Sequence, residues 1–500
     1  MNGSVGRWLR HLLCVLALMW TGIVNGQPFF FFDTSNYIRA ADAAAHIGSG
    51  RRISTAWTDR YRAAVTPALQ TAAVPDTPND LGRGTIMAGR SPYLGALLWL
   101  AYVAADFWPF VLMNAGIAYA LILLSLRRFG LERPWQVVTA VAVLALATSL
   151  PTYNSLLLAD PFTPFGILAF LLLASSGRLS RLETAFLSAV MLISATFHLT
   201  HIMIFIAMLA AIPLIRWARL SAVAVPRRAW FAGVAAVVVG LLSVQATAIA
   251  TQAAFGRAPQ LLPLLTARFY IDGPGKRFIQ TGCEGQRFVV CRVPIVAPPN
   301  DALWLFSLDA HKGAYMLATG DDRRRMGEED VAFALAVLRH EPAAQLGMMA
   351  LNTLRQFVWI DYTGLNTRCL PEEGECWEAL PPNVRARHHA SPSGRDAWPQ
   401  DAMNAILYAA VLLSIVVVAA GLPWLRRRDP EAARLMSLWL LLGLAAWATN
   451  AFFGGAVADP QYRYTGRLAW LPVLAALIVA LRWQAVRRGA APLADMNVTG

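Results

Sequence analysis

Charge is scarce in this chain: only 15% of its 500 residues are Asp, Glu, Lys or Arg, against about 25% in soluble domains. Together with 57% hydrophobic residues and a mean hydropathy of +0.46, that shortage argues against a soluble enzyme and for a polytopic membrane protein. The chain has no Walker loop, no zinc signature and no nucleotide-binding glycine pattern, so energy from ATP is not indicated. No internal repeat is visible, which leaves an inverted-repeat transporter without support. The N-terminus has the charged start and apolar core of a signal peptide (Arg7, Arg10) but no Ala-x-Ala cleavage site near Gly22–Gly26. It reads as an uncleaved first span.

The charge that is present is mostly positive, a net +13, and it clusters beside hydrophobic runs: Arg127-Arg128, Arg216 with Arg219, Arg227-Arg228, Arg426-Arg427-Arg428 and Arg487-Arg488. Nucleic acid is excluded as a partner by that placement, because it is the positive-inside pattern of cytoplasmic loops. Spanning takes about 20 apolar residues. Ten runs qualify, at 8–25, 107–126, 135–151, 161–175, 184–198, 201–217, 229–250, 402–424, 432–453 and 468–483. The stretch 184–217 is read as a helical hairpin, which keeps Arg178 and Arg181 on the same side as Arg216 and Arg219. Ser91–Ala104 is read as a helix lying in the outer interface, anchored by Tyr93, Trp99 and Tyr102.

The expected fold is therefore an all-α polytopic membrane protein with both termini cytoplasmic. An N-terminal transmembrane module (1–250) carries a long first outer loop (26–91), an outer periplasmic domain follows (251–400), and a C-terminal transmembrane module (401–500) closes the chain. Turn residues open the outer domain (Asp272-Gly273-Pro274-Gly275). Helical spacing over Glu328–Arg339 and Ala343–Ile360 makes it mixed or mainly helical. Of the five cysteines, Cys14 lies in the first span and Cys283, Cys291, Cys369 and Cys376 lie in the outer domain. Four cysteines allow three pairings, of which nearest neighbours (Cys283–Cys291, Cys369–Cys376) are preferred. Disulfides there imply an oxidising compartment such as a periplasm.

The most informative stretch is Phe29-Phe30-Phe31-Phe32-Asp33, an aromatic shelf with a carboxylate at its lip where the chain leaves the first span. Two roles stand open for Asp33: an N-cap for the helix beginning near Thr34, or a general base or cation ligand at the membrane edge. Asp160, before Pro161, carries the same pair of readings on the same outer face. His198 and His201 are three apart, a spacing that shares a helical face. They are too few for a zinc site, and the choice lies between turn residues and a phosphate contact. Arg463 and Arg467 break the positive-inside trend by standing outside, where forked guanidinium groups can hold phosphate oxygens or snorkel to headgroups. Tyr462 and Tyr464, which flank Arg463, are interface anchors or sugar-stacking platforms. Tyr37 follows Asp33 by one helical turn.

This layout resembles the GT-C superfamily of integral membrane glycosyltransferases, which use polyprenyl-phosphate-linked sugars. The likeness rests on Asp33 with Tyr37, on Gly89-Arg90-Ser91-Pro92-Tyr93 closing the first outer loop, on Asp160 before Pro161, and on Arg463 and Arg467 before the last span. It implies a lipid-linked sugar donor, an envelope glycan, lipid or protein as acceptor, and a place in the bacterial inner membrane. Asp33 and Asp160 would be catalytic, with a divalent cation (Mg or Mn) as an optional partner. Arg463, Arg467, His198 and His201 would bind the donor phosphate, and Tyr37, Tyr462 and Tyr464 the substrate. The chain departs from the pattern in having a lone first-loop acid and a polar domain inserted before its last three spans. Two other classes remain as alternatives: a transporter or flippase for a lipid-linked glycan, and a non-catalytic envelope assembly factor.

Overall fold

The computed structural model of the protein describes residues 3–31, 33–65, 90–175, 177, 179–221, 223–283, 288–292, 315, 318–362, 364–365 and 380–493. Among these the chain is helical throughout, with a single isolated β-bridge between Phe29 and Leu156. The first half comprises α1 (Gly3–Ala17), α2 (Trp20–Asn25), α3 (Thr34–Gly48), α4 (Ala56–Val65), α5 (Pro92–Ala105) and α6 (Trp108–Arg128). It continues with α7 (Pro134–Ala147), α8 (Leu150–Asn154), α9 (Phe162–Ala174), α10 (Arg181–Phe197), α11 (Leu199–Trp217) and α12 (Arg227–Phe255). The second half comprises α13 (Leu264–Ile271), α14 (Pro274–Arg277), α15 (Gly320–His340), α16 (Pro342–Val358), α17 (Pro382–Ala390), α18 (Gln400–Arg428), α19 (Pro430–Phe452), α20 (Tyr462–Gly466) and α21 (Trp470–Arg487).

Among the described residues six stretches are long and apolar enough to cross a membrane: Trp108–Arg128, Leu199–Trp217, Arg227–Ala254, Gln400–Arg428, Pro430–Val457 and Tyr462–Arg487. The other four expected spans are also helical but fall short of about 20 residues. The first is broken between α1 and α2, and α7, α9 and α10 have 14, 13 and 17 residues. Helix α9 is nonetheless the core of the bundle, with every residue from Phe162 to Ala174 buried.

Side-chain bonds sort the helix ends into two groups. At one end Arg127 pairs with Glu183, Arg228 donates to the carbonyls of Leu173 and Ser175, and Trp439 donates to Ser175. The arginine clusters thus gather there, as charge bias predicts. At the other end Ser91 meets the Thr196 carbonyl, Thr163 meets His201, and Arg387 meets Asp106. Both ends of α5 touch this second group, so α5 lies across the bundle end rather than through it. Its aromatic residues bond to protein: Trp99 donates to Asp42 (2.9 Å) and Tyr93 to the Ser243 carbonyl (3.2 Å). Gly95 is required where α5 crosses α3, since a Cβ there would stand 2.5 Å from the Tyr37 carbonyl. The hairpin over 184–217 forms with one extended residue, His198, between α10 and α11.

The region expected to lie outside, 251–400, packs a second apolar cluster from Phe269, Tyr270, Phe278, Val289, Phe333 and Val337. It is helical where described, and Cys283 and Cys291 form a disulfide across a Cα separation of 6.0 Å. Cys369 and Cys376 lie outside the described residues. Of the aromatic shelf, Phe29 and Phe30 are buried instead of open, Phe31 is partly buried, and Phe32 lies outside the described residues. Phe29 packs edge-on against Trp398, and Phe30 against Phe107 and His388. Such contacts outweigh exposure to lipid for rings this large.

One buried ion pair closes the opposite end. Arg482 Nε donates to Asp429 at 2.6 Å, and neither side chain is exposed. Asp429 also caps α19 through the Ala432 amide and accepts from the Leu493 amide, while Arg482 holds the Ala491 carbonyl. Truncating one partner strands a buried charge, which costs about 3–5 kcal/mol. Arg482→Leu should therefore lower the unfolding midpoint sharply in thermal melts, whereas replacing Asp429 and Arg482 together by leucine should recover most of the loss.

Candidate active site

The parallel bridge between Phe29 and Leu156 is what brings the two candidate acids together. The Phe29 amide donates to the Ser155 carbonyl (2.8 Å), the Leu157 amide to the Phe29 carbonyl (3.0 Å), and the Thr34 hydroxyl to the Leu157 carbonyl (3.1 Å). Asp33 stands four residues beyond Phe29, and Asp160 four beyond Leu156 (33 − 29 = 160 − 156 = 4). Past the bridge both segments leave extended backbone and turn into helices, so each acid stands just ahead of a helix tied to the other through this contact.

Neither acid is a helix cap. Asp33 occupies the position before α3 but its carboxylate makes no capping bond, and α9 starts after Pro161 without a side-chain cap from Asp160. Both carboxylates turn instead to arginines. Asp33 is paired with Arg90 at 2.5 Å and with Arg463 at 3.6 Å. Asp160 is paired with Arg463 at 3.1 Å and Arg467 at 3.4 Å. Arg463 therefore bridges the acids. The cluster is graded in depth: Arg90 and Asp33 are 34% and 24% exposed, Arg463 15%, and Arg467 and Asp160 3% each.

The loop carrying the arginines is fixed from both sides. Tyr153 donates to the Arg463 carbonyl (3.1 Å) and Ser149 to the Gly466 carbonyl (2.7 Å). Gly466 has no room for a Cβ, which would meet the Tyr153 hydroxyl and the Asp361 carbonyl at 2.6 Å. Asn450 accepts from Arg467 (2.7 Å) and donates to the Tyr464 carbonyl (2.8 Å). From the outer region, Gln356 of α16 receives the Gln461 amide and donates to the Gln461 carbonyl and Thr465 hydroxyl, each at 2.9 Å. Behind it, buried Asp272 accepts from Arg268, Gln345 and Asn352, and Arg268 reaches on to Asp459 (3.0 Å). Burial pushes the Asp459 carboxyl up, and the Arg268 guanidinium opposes that rise.

The aromatic and imidazole groups divide by role. The Arg463 guanidinium lies over Phe31 and Tyr464, 4.6 Å from each ring centre. Such stacking holds a guanidinium plane while leaving its N–H edges free to bond. Tyr462 stacks on Trp359 at 4.5 Å and so anchors the loop to the outer region. Tyr37 is buried beneath Arg90, and burial pushes its phenol up to about 12, keeping it neutral. His198 accepts the Thr200 amide at Nδ1 (3.2 Å), which fixes the tautomer that carries its proton on Nε2. It also lies in the field of Arg467, Arg463 and Arg90. His201 is a different case. Its Nε2 bonds Thr163 and its Nδ1 bonds the Ser194 carbonyl, tying α9, α10 and α11 together, and the residue is 1% exposed. It is a core residue, not a phosphate contact.

Asp33, Asp160, Arg463, Arg467, His198 and Tyr464 thus converge, and Arg90 joins them. Arg90 had been legible only as part of a loop-closing motif, and Asn450 and Gln356 carried no signal beyond being polar residues in apolar helices. Among the described residues no group of three or more His, Cys, Asp or Glu side chains could hold a metal. The two aspartates do not fit a divalent cation as they stand, since each already accepts from arginine and the cluster has three positive groups to two negative. Comparison with family models, curated proteins and solved structures finds no match to this chain.

Replacing Asp160 distinguishes an arginine anchor from a cap. Asn caps nearly as well as Asp, so a capping role predicts an unchanged protein. Loss of a buried charge that balances two guanidinium groups predicts a cost of about 3–5 kcal/mol, visible as a lowered unfolding midpoint of Asp160→Asn in detergent or nanodiscs.

Proposed function

We propose that the chain is an integral membrane glycosyltransferase that moves a sugar from a polyprenyl-phosphate donor to a cell-envelope acceptor. It would work at the outer face of a bacterial inner membrane, with ten crossings and both termini cytoplasmic. The observation that carries this reading is the convergence of three arginines, two aspartates and a donor imidazole from five separate stretches of chain at the bundle end opposite the basic clusters.

The arrangement suits a phosphate ester entering at the rim. Guanidinium forks bind phosphate oxygens bidentately, and Arg463 and Arg90 are the arginines within reach of the partly exposed edge. His198 Nε2–H is a neutral donor beside them. Asp160 holds Arg463 and Arg467 from below, so its role is positioning and not proton transfer. Asp33 is held less tightly. A phosphate that takes over its arginine partners releases the Asp33 carboxylate from its ion pairs. That carboxylate then accepts the proton of the acceptor hydroxyl. The acceptor oxygen bonds to the anomeric carbon as the carbon–phosphate oxygen bond breaks. The electron pair departs with the polyprenyl phosphate, whose charge the arginines stabilise. A single displacement of this kind inverts the anomeric centre. Electrostatic neutralisation comes from guanidinium groups, and no step is routed through a cation.

Asp33→Asn tests the assignment. Asp33 lies at the rim, so the variant should fold and insert normally, yet transfer from a polyprenyl-phosphate sugar should fall about 10²-fold or more. Transfer close to that of the unsubstituted protein would remove Asp33 as the base.

A further inference from the structure

We infer that helix α16, within the stretch read from sequence as a periplasmic domain, is seated in the outer leaflet of the membrane with its apolar side against lipid acyl chains. The inference rests on the chain's being a membrane protein and is independent of the sugar-transfer reading.

The first observation is an inversion of polarity. A helix on a water-facing domain buries its apolar stripe and exposes its polar one. In α16 the residues fully withdrawn from solvent are Gln345, Asn352 and Gln356, at 0%, 2% and 0% exposure. On the other side Leu346, Leu351, Leu354 and Val358 are 57%, 40%, 66% and 59% exposed, with Ala350 among them. Each buried amide donates a hydrogen bond inward, Gln345 and Asn352 to Asp272 and Gln356 to the Gln461 carbonyl. A leucine stripe facing outward makes sense only where the surroundings are themselves apolar. The helix carries one charge, Arg355, whose long side chain can reach a headgroup layer.

The second observation is depth. The C-terminal end of α16 is bonded to two candidate spans below their ends at the site. Trp447 of α19 donates to the Phe357 carbonyl (3.0 Å), and Tyr408 of α18 meets the Ile360 amide (3.3 Å) and the Val358 carbonyl (3.4 Å). Tyr408 is eight residues into α18 (408 − 400 = 8), or ~12 Å along its axis. The spans that hold α16 carry exposed apolar side chains of their own, Ile406 and Leu412 on α18 and Leu444 and Phe452 on α19. The exposed face of α16 therefore continues a lipid-facing surface. Its N-terminal half rises away from the spans toward Asp272, where Gln345 bonds.

The consequence is that the surface bonded to the arginine loop through Gln356 is referenced to the bilayer. Spin labels at single cysteines test this in the full chain, with Cys14→Ser and the signal of the parent subtracted, reconstituted in phosphatidylethanolamine–phosphatidylglycerol nanodiscs. A label at Leu354→Cys should collide with oxygen more than with a water-soluble nickel chelate, a label at Arg339→Cys on α15 should show the reverse, and Leu346→Cys should fall between. Val358→Cys is a second reporter of depth should Leu354→Cys fail to fold. Nickel access at 354 and 358 equal to that at 339 would overturn the inference. So would exclusion of both reagents, which would place another protein surface there.

Discussion

Arg463 is the residue around which the rest of this end of the molecule is arranged. One guanidinium cannot reach two carboxylates on different parts of the chain unless the backbone brings those segments together, and the Phe29–Leu156 bridge ties them four residues before each acid. The same constraint explains the crowding around the loop that presents Arg463. Tyr153 and Ser149 at α8, Asn450 on α19 and Gln356 on α16 hold it from three sides, and a buried guanidinium needs that many fixed partners to keep its geometry. Asp160 below and Phe31 and Tyr464 beside it complete the cradle.

The depth gradient through the cluster separates structure from chemistry. Charges removed from water are held strongly and change partners at high cost, so Asp160 and Arg467 form a fixed floor. Asp33 and Arg90 at the rim retain solvent contact and exchange partners more cheaply. A ligand that competes for arginine therefore acts on the rim first. The buried Arg482–Asp429 pair at the far end has no such gradient, since both partners are wholly withdrawn. It reads as a clamp on the last helices and the following chain.

Much of this was legible in the sequence. The helical, membrane-embedded class followed from composition, and the two-sided distribution of charge followed from the arginine clusters. Asp33, Asp160, Arg463 and Arg467 were assigned to one face by counting crossings. Their mutual pairing was not legible, because it depends on a two-residue parallel contact between segments over a hundred residues apart. The same is true of His201, whose neighbours Thr163 and Ser194 come from two other helices. The periodicity of Ala343–Ile360 was visible, but its orientation was not. Apolar spacing identifies a helix without saying which face meets protein, and here the buried face is the amide-bearing one. Helix α7 shows the converse limit, since the apolar run 135–151 does not reveal that the helix stops at Ala147.

If the arginine cluster is a phosphate site, polyprenyl phosphate binds the full-length protein in nanodiscs, and the phosphorus resonance of the lipid reports it most directly. A shifted, saturable resonance is expected, with an affinity that falls about tenfold or more in Arg463→Lys, which keeps the charge and loses the fork. A resonance unmoved by the unsubstituted protein, or equal affinity in the lysine variant, would contradict a phosphate site there.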